Sequence, residues 1–326
     1  MKAIQMTTFG EPDVLQYKTI EDPQPDNNEV CVKLYAAGVN PNEAYVRTGT
    51  YAFLIPDLPY TPGFDGAGIV ESIGEGVTHV KIGDRVFVAA LLAKRNTGTY
   101  AEKVVCDANT VHLLPDSVSY EQGAALGIPA ITAYRALFQR ANIKPGETVL
   151  IHGASGGVGL LAVQMATSFG ATVIGTASSE EGKQLVKSSG AQYVCNHVKV
   201  DAIDEILALT NGIGPDVIIE FLANENLETD LKLIAPYGRI VIIGNRGTIE
   251  INPRLTMVKE CDILGTAIFN IPKKEYEECL IGVSALLKSG VLIPQVGNRL
   301  PLSEAKQAHI DILTKKAKGK MVLLID

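Results

Sequence analysis

A chain of 326 residues, 46% of them hydrophobic, is long enough to bury two cores of ordinary domain size. Its formal net charge of −7 disfavours any general affinity for nucleic acid or anionic membrane, and no window offers the roughly 18 uninterrupted apolar residues of a membrane span. Five cysteines, odd in number and never spaced as C-x-x-C, exclude a disulfide scaffold and suit reduced thiols in a cytosol.

The N-terminus, MKAIQMTTFGEPDVLQY, lacks an apolar signal core and reads directly as a strand, so a cytoplasmic protein is expected. Through the first 120 residues, β-type segments (KAIQM, EVCVKLYAAGV, GAGIVESIG, DRVFVAA, YAEKVVCD) alternate with turn signals such as PQPDNNE and IGEGVTHVKIGD. This pattern predicts an antiparallel β domain or a partly open barrel. From about residue 122 the character changes. Glu121–Ala141 is helical in pattern, and then apolar strands alternate with amphipathic segments: TVLIHG, TVIGTA, QYVCNH, DVIIEFLA, RIVIIGN and CDILGTAIF. Strands this apolar imply a parallel sheet covered on both faces, and six of them fit two mononucleotide-binding halves. The tail carries a helix (Lys273–Ser289), an extended PQVGNRLP, a helix (Leu302–Thr314) and a last strand, KMVLLI, which is expected to return to the β domain. The predicted organisation is therefore α/β, with a first domain built from 1–122 and 270–326 around a doubly wound domain of 123–269.

Residues Thr148 to Gly159, TVLIHGASGGVG, place four glycines within seven positions between a strand and a helix. Gly153 permits a sharp strand exit, Gly156 and Gly157 allow backbone to approach a diphosphate, and Gly159 allows helix to pack closely on sheet. The helix N-terminus adds N–H donors and a partial positive charge. With the helix LLAVQMATSFG and the strand TVIGTA following, the unit predicts a bound dinucleotide. His152, just before the loop, reads as a structural strand-end histidine. The lysine run KKAKGK (315–320) reads first as a solvated surface.

Over essentially the full length the chain resembles the zinc-independent quinone oxidoreductases of the medium-chain dehydrogenase/reductase superfamily, in the ζ-crystallin branch. The residues that carry this are GVNPNEAYVRTGTY (38–51), LPYTPGFDGAGIVESIG (58–74), KIGDRVF (81–87), QGAALGIPAITAYRAL (122–137), HGASGGVG (152–159) and RGTIEINPR (246–254). The resemblance implies a GroES-like catalytic domain, a Rossmann domain, NADPH as hydride donor, and quinones or other conjugated carbonyls as acceptors. A homodimer is the default, a tetramer being the alternative, with subunits pairing through CDILGTAIF (261–269).

Zinc-dependent relatives carry a cysteine just after G-V, a histidine in a G-H-E triplet and a four-cysteine lobe. Here those places hold Asn40, Gly63-Phe64-Asp65, and a stretch (88–105) without cysteine. Zinc needs three or four converging N, S or carboxylate ligands, and Asn40 and Phe64 supply none, so no metal is expected.

Cofactor choice turns on the tip of the second Rossmann strand, where an acid would hold the ribose hydroxyls and repel a 2′-phosphate. The chain reads Gly175-Thr176-Ala177-Ser178-Ser179 there. Ser178 can donate to a phosphate, Lys183 and His197 lie within reach, and NADPH is expected. Ser179 doubles as an N-cap, with Glu180 and Glu181 in the first turn. A lysine of the 315–320 run is a further candidate for the phosphate.

At the hydride end, the resemblance puts Asn40 and Tyr45 beside the nicotinamide, with Tyr51 and Tyr60 nearby. It brings the loop Ala154, Ser155, Gly156, Gly157 and Val158 to the diphosphate. Thr132, Asn226, Gly244, Asn245, Arg246, Ile268 and Phe269 complete the cofactor wall. Asn40 or Tyr51 could bond the acceptor oxygen, and a tyrosine or water could deliver the proton. Two other readings stay open: an enoyl-thioester reductase, and a cofactor-bound protein of crystallin or RNA-binding type.

Overall fold

The computed structural model describes residues 1–315 and 318–326. Its contacts divide the chain into two compact units, one of 1–128, 293–315 and 319–326, the other of 129–292 with Lys318.

The first unit opens with a two-stranded antiparallel pair, β1 (Lys2–Gln5) and β2 (Gln16–Thr19). Its main sheet begins with β3 (Glu29–Gly38), followed by α1 (Pro41–Arg47), β4 (Asp65–Ile73), β5 (Arg85–Ala89), β6 (Lys103–Asp107), β7 (Val111–Leu113) and α2 (Tyr120–Gly123). β3 is antiparallel to β4 and β6, β4 to β5, and β5 to β7. Their alternating apolar residues (Val30, Val32, Leu34, Val70, Val86, Val88, Val104) close one core together with Tyr100.

The helix expected over 121–141 breaks in two. α2 ends at Gly123, and α3 (Gly127–Tyr134) runs on as a π-helix through Arg140. At the start of α3 the Ile128 N–H is taken by Asp65 Oδ1 at 2.9 Å in place of a helical carbonyl.

The second unit alternates β8 (Thr148–Ile151), α4 (Gly157–Ser168), β9 (Thr172–Thr176), α5 (Glu180–Ser188), β10 (Tyr193–Cys195), α6 (Ala202–Leu209), β11 (Val217–Glu220), α7 (Ala223–Leu233), β12 (Arg239–Ile242), α8 (Arg254–Lys259) and β13 (Asp262–Gly265). All six strands are parallel, in the order β10-β9-β8-β11-β12-β13. The order reverses between β8 and β11, the switch point at which doubly wound sheets bind their ligands. The central strands β8 and β11 are buried on both faces, as their unbroken apolar runs require.

α9 (Lys273–Lys288) follows β13. The sequence placed 270–292 with the first unit, but α9 packs in the second, where Arg135 pairs with Glu275 and Gly282 lies against the Tyr134 ring. The chain then supplies the first unit with β14 (Val296–Pro301), α10 (Ala305–Thr314) and β15 (Lys320–Leu324). β15 is antiparallel to β3, Val322 opposite Gly38, and parallel to β14.

Candidate functional site

In the first unit, Asn40 lies two residues after β3 and caps α1. The sequence Asn-Pro-Asn-Glu is a capping box in form, and the Glu43 carboxylate accepts the Asn40 N–H at 2.9 Å. Tertiary structure then surrounds this cap with buried charge. Asn40 Nδ2 donates to Asp65 Oδ2 at 2.8 Å and to Glu43 Oε1 at 3.2 Å, while Lys320 Nζ donates to Asn40 Oδ1 and lies 3.4 Å from Asp65 Oδ2. Tyr100 donates its hydroxyl to Glu43 Oε2 at 2.6 Å, and His309 Nε2 lies 3.3 Å from that hydroxyl. All six side chains are buried.

Burial disfavours every charge in this group. It pushes the Glu43 carboxyl up to about 7 despite Lys320, raises the Asp65 carboxyl, lowers the Lys320 ammonium and holds the His309 imidazole down at about 3. Both hydrogens of the Asn40 amide are spent inside the network. An acceptor oxygen could take a hydrogen bond from it only by breaking one of these, which weakens Asn40 as the oxyanion donor and makes it a buried pin. Phe64, at the place of the zinc-ligating histidine, is buried, and its N–H reaches Glu43 Oε1 at 3.3 Å.

Tyr45 lies on α1 with its ring stacked on Tyr51 at 6.2 Å, and Tyr51 abuts Phe53 at 5.5 Å. Burial raises the Tyr51 phenol, so it keeps its proton at neutral pH. A cavity of about 550 Å³ in this unit is lined by Tyr60, Phe64, Leu54 and Leu91 among others; Asn40, Tyr45 and Tyr51 are not in its wall.

In the second unit, β8 exits through Gly153 at φ +51°, a left-handed conformation that glycine adopts without strain. Ala154 N–H bonds Thr176 O on the neighbouring strand at 2.8 Å, and Gly156 stands at the N-cap of α4 without a side-chain cap. A Cβ on Gly159 would come within 2.7 Å of the Ala154 backbone, so only glycine lets α4 start this close to the strand exit. The first turn of α4 therefore presents N–H groups at the switch point, with Ser155, Gly157 and Val158 around them.

β9 and β10 run side by side with Thr176 opposite Cys195, so Ser178 and His197 leave the sheet at the same end. Ser179 caps α5, its Oγ accepting Gly182 N–H at 3.1 Å. The two acids that follow are each matched by a lysine: Glu180 pairs with Lys183 at 2.6 Å, and Glu181 with Lys318. The lysine run thus divides. Lys315 pairs with Asp311, Lys318 with Glu181, and Lys320 is buried in the first unit instead of solvated; Lys316 lies outside the described residues.

Along β11 and β12, Gly244 carbonyl accepts Ala223 N–H at 3.1 Å, and the Arg246 N–H is held by Asn224 at 2.8 Å. Asn245 Nδ2 closes its own turn onto Gly247 O at 2.6 Å. Asn226 Nδ2 donates to both Glu220 oxygens, at 3.1 and 3.2 Å, so its amide hydrogens face Glu220 and not a ligand. Thr132 is buried on α3, and Ile268 and Phe269 form a short 3-10 turn after β13.

Sequence reasoning passed over Glu43, Tyr100 and Glu220, and it read Lys320 only as part of a surface or phosphate-binding lysine run, whereas it lies buried against Asn40 and Asp65. The capping-box spacing was a usable signal for Glu43. None existed for Lys320, whose partners lie more than 250 residues away.

Two family descriptions match the chain: "Alcohol dehydrogenase GroES-like domain" over 26–116 and "Zinc-binding dehydrogenase" over 157–284. A quinone oxidoreductase of Rattus norvegicus is 48% identical over 100% of this chain and 98% of its own. Among solved structures, an NAD-dependent alcohol dehydrogenase superposes with a TM-score of 0.91 at 30% identity, covering 100% of both chains. The quinone oxidoreductase of Escherichia coli complexed with NADPH does so with a TM-score of 0.87 at 30% identity, again over 100% of both.

Proposed function

The chain belongs to the quinone oxidoreductases of the medium-chain dehydrogenase/reductase superfamily, and from that premise we propose that it reduces quinones with NADPH by direct hydride transfer. The observation that carries this is full-length similarity to quinone oxidoreductases, combined with Asn40 and Phe64 where a zinc-dependent relative would have ligands. Neither side chain is a zinc ligand of the usual kind, and Asp65 is committed to Asn40, Ile128 and Lys320.

The cofactor-binding residues fit NADPH. The uncapped N-terminus of α4 behind Gly153–Gly156 suits a diphosphate, and Gly159 leaves the close backbone approach that such a turn needs. Ser178, Lys183 and His197 are the residues we assign to the 2′-phosphate. The lysine partners of Glu180 and Glu181 blunt the repulsion that two acids would otherwise exert there. Bound NADPH supplies the hydride, and the chain supplies position and protons. Tyr45 is assigned to the nicotinamide. Tyr51, kept protonated by burial, is assigned to the oxygen that gains charge as the quinone is reduced.

Purified protein is expected to oxidise NADPH with 1,2-naphthoquinone or 9,10-phenanthrenequinone, and to leave crotonyl-CoA untouched. No turnover with any quinone would sink the proposal, and turnover of crotonyl-CoA lost in Tyr51→Phe would replace it with an enoyl-thioester reductase. We further assign a homodimer paired through β13, an edge strand whose Ile263 is exposed, as are Met257 and Val258 of α8.

A further inference from the structure

Below the cofactor-facing turns of the second unit lies a cluster that the hydride reaction does not use. His152 follows β8, Glu220 ends β11 and Asp230 lies on α7. One ligand-capable atom from each falls within 4.8 Å of the other two, the one such trio of histidine, cysteine and carboxylate side chains among the described residues. His152 Nε2 is 2.9 Å from Asp230 Oδ1 and 3.7 Å from Glu220 Oε2. Both carboxylates are fully buried, and the imidazole nearly so.

We propose that His152, Glu220 and Asp230 form a binding site for one divalent transition-metal cation of the zinc class. Two independent observations converge on it. The first is geometric. Tetrahedral zinc with ligands at about 2.0–2.2 Å sets neighbouring ligand atoms about 3.3–3.6 Å apart, and the separations of 2.9 and 3.7 Å fall on either side of that spacing. A small opening of the His152–Asp230 hydrogen bond makes room for the ion.

The second is an unmet valence. Asp230 Oδ2 is buried and has no hydrogen-bond partner, although an orphaned buried carboxylate oxygen is expensive. Coordination by the Asp230 carboxylate would give that oxygen a partner. Donors from outside already orient the set, since Leu222 N–H and Asn226 Nδ2 hold Glu220.

The site would be a clamp and not a catalyst. It ties the exits of β8 and β11, the two strands that flank the switch point, one residue before Gly153. The proposal is separate from the reading of the chain as a quinone reductase, and its test does not use turnover.

Full-length protein stripped with chelator and dialysed against Zn2+ should retain one equivalent by atomic absorption, and should gain several degrees in Tm. Co2+ in place of Zn2+ should give weak visible bands of nitrogen and oxygen ligation. Asp230→Asn and His152→Gln should each lower Zn2+ affinity at least tenfold, with folding of the metal-free variants checked by circular dichroism. Retention of less than half an equivalent overturns the proposal. So does binding that survives in both variants, or a strong near-ultraviolet thiolate band with Co2+, which would place the metal on the cysteines. If one variant fails to fold, Glu220→Gln takes its place.

Discussion

Charge in the buried network around Asn40 is balanced only through Lys320. Its ammonium faces Asp65 directly and reaches Asn40, while Glu43 lies on the other side of the same amide. Removing one partner of a buried charge pair leaves the other uncompensated, at a cost of about 3–5 kcal/mol. Lys320→Met is therefore expected to lower the urea midpoint strongly, whereas a change at exposed Lys306 of α10 should leave it almost unmoved. A midpoint for Lys320→Met equal to wild type would show that the network is not electrostatically coupled.

Glu43 makes the same network sensitive to pH. Burial holds its carboxyl at about 7, above an ordinary 4.5, so the folded protein binds that proton more tightly than the unfolded chain does. The associated stability is fully present below the unfolded value and is lost as pH rises through about 7. Glu43→Gln carries no such proton, so its Tm is expected to fall less than that of wild type between about pH 5 and 8. Parallel Tm profiles for the two proteins would refute the assignment.

At the scale of elements, function depends on where α4 begins. The Gly159 position sets how close the helix comes to the β8 exit, because a methyl group there meets Ala154 backbone at 2.7–2.9 Å and not a movable side chain. Gly159→Ala is expected to cost about 1–3 kcal/mol as overpacking, and to weaken NADPH binding at least tenfold by fluorescence titration. Unaltered affinity would mean that the turn does not hold the diphosphate. α9 carries a different lesson. Its amphipathic pattern was plain in the sequence, but a pattern shows that a helix buries one face and not which unit receives it. Glu275 and Gly282 settle that through Arg135 and Tyr134, about 140 residues earlier.

For the molecule as a whole, the six-stranded sheet ends in two edge strands, β10 and β13. Among the described residues no strand pairs with the outer side of β13, where Arg140 Nε donates to Gly265 O at 3.0 Å, and exposed edges are usually covered. The exposed side chains of Ile263, Met257 and Val258 supply an apolar margin for a second copy. Light scattering behind size exclusion is expected to give twice the chain mass for wild type, and the single-chain mass for Ile263→Lys. A monomeric wild type at micromolar concentration would remove the assignment.

The sequence by itself determined the doubly wound class of the second unit, the glycine turn, the missing zinc ligands and the acid-free tip of β9. These are local matters: strand apolarity, glycine spacing and residue identity act over a few positions, and their physics needs no distant partner. Only tertiary structure decided that Asn40 spends both amide hydrogens internally, that Lys320 leaves a lysine-rich surface run to be buried on Asp65, and that Glu180 and Glu181 are each matched by a lysine. It alone brought His152, Glu220 and Asp230 together from three elements. Buried polar groups must find partners wherever the fold puts them, and those partners lie tens to hundreds of residues away, beyond the reach of any local pattern.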